Sequence, residues 1–269
     1  MLSRYKRQTN RFRLHVLGSF CDMKTITQIG RDHHVSSGIV SRIMEQMRYA
    51  KPAFLPRTIA IDEFRGNVGE KFQCLLVDPQ HHTVLDVLPT RNSEDLHAYF
   101  NQYPMKMRKK VRYIIMDLSS QFYSVMRSCF PKAKIIADKF HVVRLITWAL
   151  DKVRKKVQKN FAKNRRISFK RSKALLLKHS AELTEEDRVA IMLSVSDELR
   201  LAYRLKELFN DVMASKTRRH FKARYMWFKH EAEEYEIEEV MKHIATFDKW
   251  IKEIERSCVI GVTNGFIEG

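Results

Sequence analysis

Apolar positions recur along this chain first at helical spacing, then in short strand-like runs, and finally at helical spacing again. In "RQTNRFRLHVLGSFC", Phe12, Val16, Leu17 and Phe20 recur every three or four residues, leaving Arg11, Arg13 and His15 on other faces. "MKTITQIGRDHHVSSGIVSRIMEQM" places Ile26 and Ile29 on one helix, breaks near His34 to Ser36, and resumes with Ile39, Val40 and Ile43 on a second helix opened by Ser36 or Ser37. Two short helices joined by a brief turn fit a helix-turn-helix whose second helix presents Ser37, Ser41 and Arg42 to a major groove. The alternative is a plain helical hairpin in a small bundle.

"AKPAFLPR", with Pro52 and Pro56, cannot continue a helix and predicts a linker over 51–57. Beyond it "RTIAIDEF", "KFQCLLVD" and "TVLDVLP" predict three strands in an antiparallel meander, with "PQHH" turning the chain between the second and third. "NSEDLHAYFNQY" predicts a helix capped by Asn92 or Ser93, and "MKMRKK" a basic loop. "VRYIIMD" is an almost wholly apolar run, as expected of a strand covered on both faces, and "SSQFYSVMRSCF" is a serine-capped helix. "AKIIAD" is a fifth strand. This order predicts a mixed α/β layer in which parallel strands extend the meander.

From His141 to about Arg256 the pattern is helical. "VVRLITWALDKVRKKVQ" repeats Val142, Leu145, Ile146, Ala149, Leu150, Val153 and Val157 with Lys and Arg opposite. "LTEEDRVAIML", "SDELRLAYRLKELFNDVM" and "EEVMKHIATFDKWIKEIE" continue the period as helices of a bundle. The basic run in "QKNFAKNRRISFKRSK" suits phosphate tracking or a solvated loop alike.

Charge narrows the class of partner. Fifty Lys and Arg stand against 31 Asp and Glu, a formal net charge of +19, which is the footprint of a polyanion binder and points to nucleic acid. The 269 residues contain no apolar run of membrane-spanning length and no secretory signal at the N-terminus, so a cytoplasmic protein with no membrane partner is expected. Cys21, Cys74, Cys129 and Cys258 are scattered singly, in neither a zinc ribbon nor a disulfide framework.

The chemistry lies in the carboxylates. Asp62 ends the first predicted strand and Asp117 the fourth. If those strands are parallel neighbours, both acids emerge at one sheet edge, where they can share hard divalent cations for phosphoryl transfer. Glu268, near the start of a helix capped by Asn264, is the candidate third oxygen ligand. Glu63 is expected on the opposite face, and Asp78 and Asp86 in structural roles. Asp138 ends the fifth strand and His141 begins a helix; they lean toward the same edge, either beside the scissile phosphate or simply as cap and packing residue.

"TIAIDEF", "VLDVLPTR", "IIMDLSSQFYSVM", "IIADKFHVVR" and "TNGFIEG", in this order, resemble the DDE transposases of bacterial insertion sequences, specifically the ISL3 family, over residues from about 10 to 269. The resemblance implies an RNase H-like core with strands 1-2-3 antiparallel and strands 4 and 5 parallel to 1, an N-terminal helix-turn-helix, and an all-helical insertion. The implied division is 1–50 for DNA binding, 51–57 as linker, 58–141 as catalytic core, 142–256 as insertion and 257–269 as the return to the core. Asp62, Asp117 and Glu268 match the metal-binding catalytic triad, and Asp138 and His141 the auxiliary C/D-x-x-H signature. The implied cofactor is Mg²⁺ or Mn²⁺ as a pair of ions. The implied partners are the element's terminal inverted repeats and target duplex DNA, bound by a homo-oligomer in the nucleoid. Family members commonly begin with a Cys-rich zinc-binding module and continue past the glutamate, so truncation at both ends is expected. A non-catalytic relative that binds the repeats, or regulates a full-length enzyme, is the alternative expectation.

Overall fold

The computed structural model describes residues 8–22, 24–45, 51–66, 72–161, 169, 173–187, 196–262 and 265. The chain divides into two compact units, Met1–Lys51 and Pro52–Gly269.

Among its described residues the first unit holds three short α-helices, α1 (Asn10–Gly18), α2 (Ile26–Asp32) and α3 (Ser37–Met44), with a 3-10 turn over Ser19–Asp22 after the first. Thr9 and Thr25 cap the first two, each hydroxyl accepting a backbone N–H three residues on, from Phe12 at 3.1 Å and Gln28 at 3.2 Å. The spaced apolar residues converge on a core of Val16, Ile29, Val40 and Ile43, with Phe12, Leu17 and Phe20 packed around it. Between α2 and α3 the chain turns through His34 in a left-handed conformation (φ 54°), and Val35 N donates to Gly30 O at 2.9 Å. A Cβ at Gly30 would lie 2.8 Å from Val35 O, so the close return of the turn requires glycine there.

The second unit is built on a five-stranded sheet in the order β3-β2-β1-β4-β5. Its strands are β1 (Thr58–Phe64), β2 (Gln73–Asp78), β3 (Thr83–Leu88), β4 (Tyr113–Met116) and β5 (Lys134–Ala137). Pairing is antiparallel from β1 through β3 and parallel from β1 to β4 to β5, as the meander and crossovers predict. The β2–β3 turn is held by Asp78, whose Oδ1 accepts from Gln80 N at 3.0 Å and His81 N at 3.3 Å.

Strand alternation sorts the side chains onto two faces. Ile59, Ile61, Cys74, Leu76, Ile114, Met116 and Ile135 join the main core, shared with α4 (Ser93–Asn101) and α6 (Ser120–Cys129). Ala60, Val77, Ile115 and Ile136 occupy the other face against Ile260 and Val262. The fourth and fifth strands are each only four residues long and buried, which is why they read as unbroken apolar runs.

A helical layer follows: α7 (Lys139–Lys159), α8 (Asp197–Met213), α9 (Arg218–Tyr235), α10 (Glu238–Lys249) and α11 (Ile251–Val259). Val142, Ile146, Ala149, Leu150, Val153 and Val157 bury one stripe of α7, and Phe209 of α8 stacks on Phe247 of α10 at 4.6 Å between ring centres. Arg256 on α11 donates to Ile135 O at 2.9 Å, tying the last described helix to the sheet. No described helix is long and apolar enough to cross a membrane.

Three local expectations change. The basic loop contains a helical turn, α5 (Met105–Arg108), because Pro104 supplies a pre-set start and its carbonyl accepts from Met107 N at 2.8 Å. The final helical pattern breaks at Trp250 into α10 and α11, where the buried indole meets Tyr123 edge-on at 5.3 Å. The first strand runs to Phe64, so Asp62 lies within β1, opposite Leu75 of β2, rather than at its end.

Candidate active site

Parallel register places three acids in one row. Ala60 pairs with Ile115, and Ile115 with Ile136, across β1, β4 and β5. Two residues further along each strand direction come Asp62, Asp117 and Asp138, at equivalent levels on the face that carries Ala60, Ile115 and Ile136. Neighbouring strands lie about 5 Å apart, so adjacent acids in the row are within reach of a shared ligand. Asp138 N donates to Met116 O at 2.7 Å, which extends the β4–β5 pairing to the level of the row.

The three carboxyls sit in different surroundings. Asp62 Oδ1 accepts from Glu63 N at 2.8 Å; burial raises its pKa, and that hydrogen bond and the His141 charge oppose the rise. Asp117 is pushed up to about 6, first by burial, then by the negative charges of Glu63 and Asp62, with His141 again opposing. Its Oδ1 is buried without a hydrogen-bond partner among the described residues. A buried oxygen left in that state is costly unless a cation or donor arrives, so this atom is suited to a ligand. Asp138 is the N-cap of α7, accepting from Phe140 N at 2.9 Å.

His141 lies in the first turn of α7 with Nδ1 3.5 Å from Asp138 Oδ2. The Asp138 interaction raises its pKa, against burial and the nearby Arg144 cation. His141 is therefore held toward its protonated form while its charge reaches both Asp62 and Asp117.

Asp62, Asp117, Asp138 and His141 are thus gathered at one sheet edge. Glu268, like Asn264, lies outside the described residues. Among the described residues no group of three or more His, Cys, Asp or Glu is arranged to hold a metal ion. Carboxylate oxygens such as those of Asp62 and of Asp117, whose Oδ1 is buried without a hydrogen-bond partner among the described residues, are the hard donors that Mg²⁺ or Mn²⁺ takes. Ser37, Ser41 and Arg42 belong to α3 in the first unit; Ser37 and Arg42 are exposed and Ser41 is half-buried. Arg42 Nε donates to Gly38 O at 3.2 Å.

Two further charged residues act electrostatically on this edge: Glu63, expected on the opposite face, and Arg144, which the sequence pattern does not single out. Glu63 pairs with Arg91 at 2.6 Å, yet its charge also bears on Asp117. Strand alternation separates Glu63 from Asp62 along β1, but Asp117 belongs to the neighbouring strand direction, and alternation within β1 sets no distance from Glu63 to it. Arg144 influences both Asp62 and His141. The available signal for it was its spacing, three residues after His141 on the same helical face.

Residues 59–269 match the ISL3-type DDE family, whose description is Transposase. A stretch of 154 residues is 27% identical to the transposase for insertion sequence element IS1001 of Bordetella parapertussis, covering 55% of this chain and 38% of that protein. The match thus spans well under half the length of that curated relative.

Proposed function

The chain belongs to the ISL3 family of transposases, and from that membership we propose that it cuts DNA at the ends of an insertion sequence and joins the freed 3′-hydroxyl to target DNA. The observation that carries this reading is the row of Asp62, Asp117 and Asp138 at one edge of three adjacent parallel strands. The sheet is read as an RNase H-like core. In this reading Asp62 and Asp117, with Glu268, hold divalent cations, Mg²⁺ or Mn²⁺ as a pair. When bound, such a pair activates the attacking oxygen and neutralises charge on the leaving oxygen of a phosphodiester.

The chain's own groups prepare the site. Asp62 and Asp117 are desolvated carboxyls whose ionisation a neighbouring cation would favour, which suits them to binding metal rather than to remaining free anions. Asp138 fixes the start of α7 and orients His141. His141, kept protonated to higher pH by Asp138, contributes positive charge beside the phosphate. Arg144 adds a second positive group.

The three-helix unit is read as a helix-turn-helix whose α3 presents Ser37, Ser41 and Arg42 to the terminal repeats. Support comes from the tight α2–α3 turn at Gly30 and from the exposure of Ser37 and Arg42. The formal charge of +19 supports duplex DNA as the partner. Paired terminal repeats call for a homo-oligomer, because two ends must be brought together.

The test supplies duplexes bearing the element's ends with Mg²⁺. Cleavage by the wild-type chain, lost by a factor of about 10³ or more in Asp62→Asn with DNA binding intact, is the expected result. Binding without cleavage would overturn the enzymatic reading in favour of a non-catalytic repeat-binding protein.

A further inference from the structure

Helix α7 leaves the row of acids at Asp138 and turns one stripe of side chains into the core. A different stripe carries Phe140, Arg144 and Trp148, spaced four apart and therefore stacked along one helical face. Phe140 is 47% exposed and Trp148 52%, although both are large aromatic groups that a soluble helix normally buries. The Arg144 guanidinium lies between them, 5.5 Å from the Phe140 ring centre and 4.8 Å from that of Trp148. Arg144 Nε is buried with no hydrogen-bond partner among the described residues. The same cation is close enough to bear on Asp62 and His141. An aromatic–cation–aromatic stripe thus begins beside the carboxylates and runs outward along α7.

We propose that Phe140, Arg144 and Trp148 form a stacking site for an unpaired nucleotide, with Arg144 contacting its phosphate, next to the phosphodiester held at Asp62 and Asp117. This rests on the DNA phosphoryl-transfer reading of that edge. The exposed surface of the two rings offers a base π-contact, and the cation beside them matches the charge of the adjoining phosphate. The base must be unpaired, because stacked neighbours cover base faces in a duplex and leave only the edges accessible. A protein partner offers apolar surface for the rings but brings no obligatory anion for Arg144, in a chain whose formal charge is +19.

The experiment compares the wild-type chain, Trp148→Ala and Trp148→Phe by fluorescence anisotropy, in chelator, with a dye-labelled oligothymidine and a blunt duplex of the same length. Trp148→Ala is expected to weaken oligothymidine binding about tenfold, the effect of losing one stacked base. Trp148→Phe retains most of the affinity, and the blunt duplex binds all three proteins alike. Unchanged oligothymidine binding in Trp148→Ala, or an equal loss on both probes, would overturn the stacking site. Cleavage assays on the same proteins keep the two proposals apart. If the wild type cuts no duplex but Trp148→Ala loses oligothymidine selectively, the stacking site stands and the enzymatic reading fails. If cleavage depends on Asp62 while Trp148→Ala binds both probes like wild type, the enzyme stands and the stacking site fails.

Discussion

Replacing Asp117 by asparagine should make the metal-free protein more stable while removing its chemistry. The carboxyl is pushed up to about 6 from an ordinary 3.8, chiefly by burial and then by Glu63 and Asp62. Because the folded-state pKa lies above the unfolded one, the folded chain holds the extra proton in the window between them. Stability contributed by the protonated group is therefore present below the ordinary value and is lost as pH rises through about 6. Above that window the folded state carries a strained carboxylate worth roughly two pKa units at about 1.4 kcal/mol each, or about 3 kcal/mol at most. Asparagine keeps the shape and discards the charge, so Asp117→Asn should gain about 1–3 kcal/mol near neutral pH in chelator. Chemical denaturation measures this directly, and thermal melting should rise by about 2–4 °C per kcal/mol. At a pH below the unfolded carboxyl value the difference should vanish. Added Mg²⁺ should reverse the order, stabilising wild type more than the variant. A variant no more stable than wild type near neutral pH, with the same dependence across the window, would refute a buried carboxyl with a raised pKa at this position.

Other outcomes follow from particular contacts. Asp138→Asn should lower the pH at which His141 titrates, followed by NMR of the imidazole, since the Asp138 interaction is the chief cause of its raised pKa. The stability that the protonated His141 adds is present below its unfolded pKa and lost as pH rises through the folded one, and this dependence should shrink in the variant. Gly30→Ala should destabilise the first unit by about 1–3 kcal/mol, since its Cβ meets backbone oxygen 2.8 Å away; an unchanged melting temperature would show that the turn can relax. Phe209→Ala should cost about 3–5 kcal/mol, because the ring is fully buried against Phe228 and Phe247; a loss below about 1 kcal/mol by denaturant titration would contradict that packing.

Much of the second unit's architecture was legible because its periods are unambiguous. "TIAIDEF" and "QCLLVD" alternate or run apolar over strand lengths, and "YIIM" and "KIIA" have the short, wholly buried pattern of parallel strands. Local chemistry was weaker evidence. Pro104 could end one helix or start another, and the structure uses it as the start of α5. Trp250 fits a continuous helical stripe on paper, yet its burial against Tyr123 accompanies a break in the helix. At the candidate site, alternation along β1 says nothing about a carboxyl on the next strand, and Glu63 bears on Asp117.

The amino-acid sequence by itself determined the five strands, their order, and the acids in or just after them, because periodicity and turn chemistry are local properties of the chain. Only the tertiary structure decided that Asp62, Asp117 and Asp138 share one row, since that depends on parallel register between strands separated by long stretches of chain. It also decided their ionisation and the approach of Arg144. Burial and charge proximity are properties of the packed edge, and no spacing along one strand or helix contains them.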